Sequence, residues 1–464
     1  MNAGCNTTAS HNFFAGCGAG KGIGGAAISG GANVAIGQSA GASITSGTGN
    51  FFVGNFAGLK NTAAFDNIFF GTQSGCNNSG TNNFFAGTQT GQDNTGSYNI
   101  FFGRLAGFVN TSGCGNNFQG NSAGRSNTTG NHNIFNGTYA GQFNTTASSN
   151  IFLGFSAGKG TPGVNVTGPF NVGIGSSAGA SLSTGCHNVF FGCASGLCNT
   201  TGNYNTFFGI RAGCLNVSGS ANNYFGAVAG QAATGSSNNY FGLFAGGATN
   251  NSGSGNNFFG NRAGCSNTSG NYNNFFGFYA GRNNTTGSDN VAIGRSALFP
   301  ASAAGSNNIA IGSSAGSSVT PGLVSLAGVS NNIVLGNFNH TAATIKVAWT
   351  IISDERDKGN ITPVPLGLNF VQKIKPIEYN WIDRNSKNIT DNTRRYGFSA
   401  QNILEHETSP SVLVDACDPD HLKLRETMML PVLVNAIKEL DIENQELKNR
   451  ILEIERRVGI SSGG

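Results

Sequence analysis

The sequence predicts a mainly β protein: a long repetitive shaft of short strands, then a small charged domain that ends in a coiled-coil helix. A Gly/Asn/Phe unit of about 17 residues recurs from residue 12 to residue 336. Composition then changes from nearly uncharged to highly charged. From Leu430 to Val458 the apolar residues follow alternating spacings of three and four. These observations divide the chain into a repeat shaft at residues 1–336, a junction at 337–352, a folded domain at 353–428 and a helix at 429–460.

The unit reads roughly N-x-F-F-G-x-x-A-G-x-x-N-T-x-G-x-x. The glycine that closes its apolar run occurs nineteen times, from Gly16 to Gly336, and ten of the eighteen intervals are 17 residues. A fixed period of this size signals a solenoid-like array. Glycine supplies 72 of 464 residues without a three-residue period, which excludes collagen. The 35 phenylalanines supply apolar surface that a disordered chain lacks.

Asn99-Ile100-Phe101-Phe102-Gly103 is too short for a helix and rich in strand formers. Adjacent side chains on a strand face opposite ways. Two neighbouring aromatics therefore need cover on both faces, and a thin coil has one interior. The second face implies other chains around an axis. The closing glycine and the Ala-Gly that follows (Ala106-Gly107, Ala140-Gly141, Ala157-Gly158) permit a tight turn and close approach to a neighbour. Asn-Thr-x-Gly is expected to form a second corner with Asn and Gly at positive φ. Stacked Asn side chains are expected to hydrogen-bond along the array. At about 4.8 Å per coil, the array makes a rod of roughly 90 Å.

Charge separates the two halves. Residues 1–340 hold nine basic and three acidic side chains, against 16 and 18 in the last 124. No basic cluster suggests nucleic acid or an anionic membrane, and no apolar run reaches bilayer-spanning length. A leader peptide is not expected, because the repeat begins at Asn12 directly after a polar start. Export would then need lysis, a phage-type assembly route or a missing upstream segment. The ten cysteines include no C-x-x-C pair. Cys76, Cys214 and Cys265 share one repeat position several turns apart and cannot pair with one another. Cys193 and Cys198, with His187 nearby, read as unpaired thiols rather than a zinc site. Free thiols favour assembly in a reducing cytoplasm. Asn127, Asn144, Asn199 and Asn216 head N-x-S/T triplets, each seven residues after a closing glycine. Turn chemistry explains that position without glycosylation. The shaft has no acid pair or histidine cluster, so it is not expected to be catalytic, and no metal or cofactor is called for.

Residues 342–352 read as a strand leading into Ser353, part of a small β cap that covers the last open edge of the shaft. The stretch Ser353-Asp354-Glu355-Arg356-Asp357-Lys358 sits at the composition break. A serine cuts a peptide bond only if a base takes its proton, and lysine can replace histidine in that role. A turn can fold Lys358 back onto Ser353. A free lysine, pKa about 10.4, holds its proton near neutrality. The role therefore needs a folded, water-excluding site, and such a dyad fires only after assembly. By itself the spacing also fits a capped, solvated turn.

Leu430, Leu433, Ile437, Leu440, Asn444, Leu447, Ile451, Ile454 and Val458 form an a/d seam. Ile451 at a and Ile454 at d favour three strands, and Asn444 at a can fix register. Arg394, Arg395 and His406 read as surface or structural residues.

Asn33–Gly37, Asn290–Gly294 and Asn308–Gly312 read N-V-A-I-G or N-I-A-I-G. They resemble the head repeats of trimeric autotransporter adhesins and the repeats of phage and viral tail fibres. That resemblance implies a parallel β-roll or β-prism built from three chains, here with a longer unit and Phe in most copies. Four ordered blocks follow: Ser353-Asp354 with Arg356, Lys358 and Ile361; Lys375-Pro376-Ile377-Glu378-Tyr379-Asn380-Trp381; Tyr396-Gly397-Phe398-Ser399-Ala400-Gln401; and Met429 to Leu440. They resemble the endosialidase-type C-terminal intramolecular chaperone of phage tail spikes and fibres and of myelin regulatory factor. Asn402 departs from that pattern, which more often has Glu. The resemblance implies a small α/β domain that trimerises, templates the β-helical stalk and releases itself, with Ser353 as nucleophile and Lys358 as general base.

The resulting reading is a trimeric, phage-like viral tail fibre on the virion, assembled in the host cytoplasm. Registering three chains through nineteen near-identical coils invites slippage. A C-terminal trimer sets the register first and explains why this domain follows this repeat. Expected partners are further copies of the chain and a host receptor or glycan, with no nucleic acid and no membrane insertion. A cell-surface trimeric adhesin is the alternative and would call for a leader or anchor. A glycan-cleaving enzyme would need converging acids, and the shaft has three in all.

Overall fold

A computed structural model of the protein describes residues 4, 7–24, 27–247, 251–299, 305–317, 325–337, 352–382, 388–389, 392–407, 411–416 and 422–459. The chain divides into two units, Met1–Asn339 and His340–Gly464.

Among the described residues, the first unit is a parallel β-solenoid of nineteen three-residue strands, β1 (Phe13–Ala15) to β19 (Ile333–Leu335). Each strand pairs in parallel with the next in one constant register. In β6 (Ile100–Phe102) and β7 (Asn117–Gln119), Phe101 lies opposite Phe118. The middle residue of each strand points inward. Phe52, Phe101, Phe135 and Phe207 are among thirteen inward rings that are fully buried, and successive rings stack with centroids 4.7–5.3 Å apart. The flanking positions point outward and are exposed or half-buried: Ile100 is 40%, Phe191 42% and Phe208 49% exposed. Phe225, Phe241, Phe259 and Phe276 stack on that outer face at 4.6–4.9 Å. The second apolar face expected from adjacent aromatics is therefore real and open.

The closing glycines allow the turns to stack this closely. Gly120 has φ 138°, and a Cβ there would lie 2.5 Å from the Gly137 carbonyl oxygen. Gly120→Ala is expected to cost at least about 1–3 kcal/mol from backbone strain alone. Hydrogen exchange of β7 and of β8 (Ile134–Asn136) checks this, with faster exchange confined to those turns.

One ladder of buried asparagines runs the length of the described shaft, and a second runs in segments interrupted at Ile44, Val166, Leu182 and Ala233. The Asn before each strand bridges turns: Asn99 N–H donates to Asn83 Oδ1 and Asn116 N–H to Asn99 Oδ1, both at 2.9 Å. The Asn of Asn-Thr-x-Gly is equally buried. Asn127 Nδ2 donates to Asn110 Oδ1 at 2.5 Å and to the Gly130 carbonyl at 3.0 Å. This corrects the expected corner, because neither that Asn nor the glycine three residues on takes positive φ. The left-handed non-glycine residues lie elsewhere, at Leu105 and Ser122 after the closing glycine and at Tyr98 and His132 before the strand asparagine. Their backbone N–H groups are held by the preceding turn, as Leu105 N–H is by Thr88 O at 3.1 Å. At Asn127 and Asn144, hydrogen bonding of the Asn amide, rather than backbone handedness, fixes the Asn-Thr-x-Gly segment. Asn127, Asn144, Asn199 and Asn216 are fully buried, so the folded shaft offers no acceptor amide at these four triplets.

In several turns core size is conserved by compensation, although Tyr240 keeps an asparagine partner in Asn251. Where the strand centre is Phe101 or Phe207, the residue seven after the closing glycine is Asn110 or Asn216. Where the centre is Ala35 or Gly173, that residue is Ile44 or Leu182. Where Tyr224 adds a hydroxyl, it is Ala233. Longer repeats leave the register untouched, as between β9 (Ile151–Leu153) and β10 (Val172–Ile174). Their surplus residues leave between Gly160 and Val166, and alignment resumes where Thr145 N–H donates to Val166 O at 3.2 Å.

The β cap read at 337–352 falls on residues 338–351, outside those described. The second unit holds α1 (Leu368–Lys373), the antiparallel pair β20 (Pro376–Tyr379) and β21 (Arg395–Phe398), α2 (Ala400–His406), a short pair β22 (Val414–Asp415) and β23 (Lys423–Leu424), and α3 (Met429–Val458). Phe370, Ile374, Ile403, Leu413, Val414, Met429 and Val432 form its core. Asn435 and Glu439 of α3 clamp the segment before α1: Asn435 Nδ2 donates to Leu366 O at 3.0 Å, and Leu368 N–H to Glu439 Oε2 at 2.6 Å. Among the described residues, the other face of α3 has no partner. Leu430, Ile437, Leu447, Ile451, Ile454 and Val458 are all exposed. The a/d seam is thus the open face, and only the first turns of α3 rest on its own domain.

Candidate functional site

Ser353 and Lys358 meet across a single tight turn. Asp354 caps a 3-10 turn at Glu355–Asp357 by accepting the Arg356 backbone N–H at 2.9 Å. Aspartate suits that place because its carboxylate satisfies a donor left free at the start of the turn. The Arg356 side chain closes back on the same carboxylate, donating from Nε at 3.0 Å and Nη2 at 2.6 Å. These hydrogen bonds hold the Asp354 carboxyl below its ordinary value. The cap is therefore fully formed above the usual aspartate range and is lost as pH falls through the lowered value.

The turn delivers Lys358 Nζ to 2.7 Å from Ser353 Oγ and 3.2 Å from the Ser353 carbonyl oxygen. The two candidate residues are thus brought into hydrogen-bond contact. Both side chains are exposed, so the water-excluding surroundings expected for a lysine base are not supplied by the turn itself. The Asp354–Arg356 pairing is the part sequence reasoning missed. Its signal was available: an acid that can cap, followed two residues later by an arginine that can fork onto it.

The other candidates are accounted for by packing. The His187 ring stacks between Phe170 and Tyr204, 5.0 Å from each, rather than joining Cys193 and Cys198 in a ligand set. Burial pushes the Cys76 and Cys214 thiols up, which makes them poor nucleophiles. Arg394 pairs with Glu378 at 3.2 Å. Asn402 accepts the Lys375 backbone N–H at 2.8 Å through Oδ1, an acceptor role that a glutamate could also fill. Among the described residues, no helix is long and apolar enough to cross a membrane.

Residues 353–410 match the family model described as chaperone of endosialidase. The match begins at Ser353 and takes in the Ser353–Lys358 turn and the β20–β21 pair, and it ends before α3. No curated protein and no solved structure matches the chain. The chain is thus a fibre-like parallel β-solenoid joined to a segment of the chaperone-of-endosialidase type, a pairing that points to a role in folding and trimerisation.

Proposed function

We propose that the protein is a homotrimeric, phage-like viral tail fibre whose C-terminal domain registers three chains, directs their folding and is then released by self-cleavage at Ser353. The observation that carries this is the long apolar stripe of α3, which is open among the described residues. Three copies bury it as a coiled coil. The exposed outer strand face of the solenoid supports the same reading, because parallel sheets are normally covered on both faces.

Assembly also supplies what the dyad lacks. Neighbouring copies would exclude water from Lys358, which then takes the Ser353 hydroxyl proton. Attack by Oγ on its own carbonyl would close a strained four-membered ring, whereas attack on the Ile352 carbonyl passes through a five-membered one. The new C–O bond forms as the Ile352–Ser353 C–N bond breaks, and Lys358 returns the proton to the departing nitrogen. Water then hydrolyses the ester. The shaft is left as the structural part of the virion, carrying the surface that meets a host receptor.

Deleting residues 353–464 is the test. Shaft expressed without them is expected in the insoluble fraction, while the full chain sediments as a trimer. A soluble trimer from residues 1–352 removes the chaperone role, and a monomeric full chain removes the fibre.

A further inference from the structure

On the turn side of the shaft, rings and guanidiniums alternate in a column drawn from two neighbouring repeat positions. Arg262 Cζ lies 5.5 Å from the Phe244 ring and 5.8 Å from Tyr279. Arg282 Cζ lies 4.7 Å from Tyr279 and 5.4 Å from Phe299. Arg262 Nη1 also donates to Tyr279 Oη at 3.3 Å. Phe278 packs on Tyr279 with centroids 4.0 Å apart and remains 46% exposed. Arg295, exposed, follows in the next turn.

Three of the nine basic residues before residue 340 thus fall within 34 residues of one another. Among the described residues, neither Arg262 nor Arg282 has a carboxylate partner. Rings on both sides hold each guanidinium in place, and its N–H groups not engaged by Tyr279 can donate to an oxyanion. The backbone here offers no edge for an added strand. Arg262 N–H is held by Leu243 O, Tyr279 N–H by Asn261 O and Arg282 N–H by Tyr279 O. A peptide ligand would lack main-chain partners. A sugar needs none, since its C–H faces rest on exposed rings while its acid group takes the guanidinium.

We propose that the column formed by Phe244, Arg262, Phe278, Tyr279, Arg282 and Phe299 binds carboxylate-bearing saccharide chains. This deepens the attachment reading above by naming a ligand class.

The test is calorimetric titration of the full chain with tetragalacturonate and, separately, with a neutral galactose tetrasaccharide. The acidic sugar is expected to bind and the neutral one not, with affinity falling as salt is added. Arg262→Gln with Arg282→Gln should weaken binding at least tenfold while hydrogen exchange over residues 239–293 stays unchanged. Arg282→Lys should recover part of the loss relative to Arg282→Gln, since charge returns without the fork. Equal binding of the neutral sugar, unaltered affinity in the double variant, or equal binding of tetraglutamate overturns the site. The readout needs neither trimer nor cleavage. A monomeric, uncleaved chain that binds the acid would keep this site and sink the fibre.

Discussion

Ser353→Ala is expected to leave the chain whole, where the parent is expected to run as fragments of about 350 and 110 residues. The loss is complete rather than partial, because the substitution removes the atom that forms the new bond. Lys358→Met is expected to slow cleavage about 10²–10⁴-fold, the usual worth of a positioned general base. Both variants should still assemble, since neither side chain belongs to the α3 seam. Intact mass of the shaft fragment reads the cut directly: a chain ending at Ile352 fits the five-membered path, and one ending at Ser353 rejects it. An assembled wild-type trimer that never splits would remove the catalytic role of the 2.7 Å contact and leave it a capped surface turn.

The second large effect lies in the shaft core. Phe207 stacks between Phe190 at 5.3 Å and Tyr224 at 4.7 Å and is fully buried. Phe207→Ala should cost about 3–5 kcal/mol. Asn216→Leu alone overpacks the same turn by about 1–3 kcal/mol. Together they approach the pairing of Ala35 with Ile44, so the double variant should lose less stability than the two single losses summed. The exchange is favourable at this turn because the Gly219 carbonyl, which accepts from Asn216 Nδ2, also accepts from Asn205 Nδ2 at 2.8 Å. Opening energies from hydrogen exchange at β12 (Thr206–Phe208) suit a repeat array better than one global midpoint. Simple additivity of the two losses would refute the compensation rule.

Much of this was legible in the residues. The 17-residue period and the short Phe-Phe runs led directly to stacked parallel strands, and the paired aromatics to an outer face that needs cover. The spacing of Leu430 to Val458 marked a seam that the fold leaves open. The Asn-Thr-x-Gly corner was misjudged because turn propensity is a local signal, while Asn127 is held by Asn110 one turn away. The Phe/Asn and Ala/Ile exchange escaped notice for the same reason: each partner is unremarkable until both are placed in one cross-section. The arginine column is not legible in the residues, since Arg262 and Arg282 flank Tyr279 only when the repeats are stacked.

A rod whose coils all meet their neighbours through one identical three-residue match can be lengthened or shortened by whole copies with both cut ends still fitting. Its span is therefore counted rather than moulded. Recombination between repeats could trim or extend it like a ruler, leaving whatever each end holds unchanged.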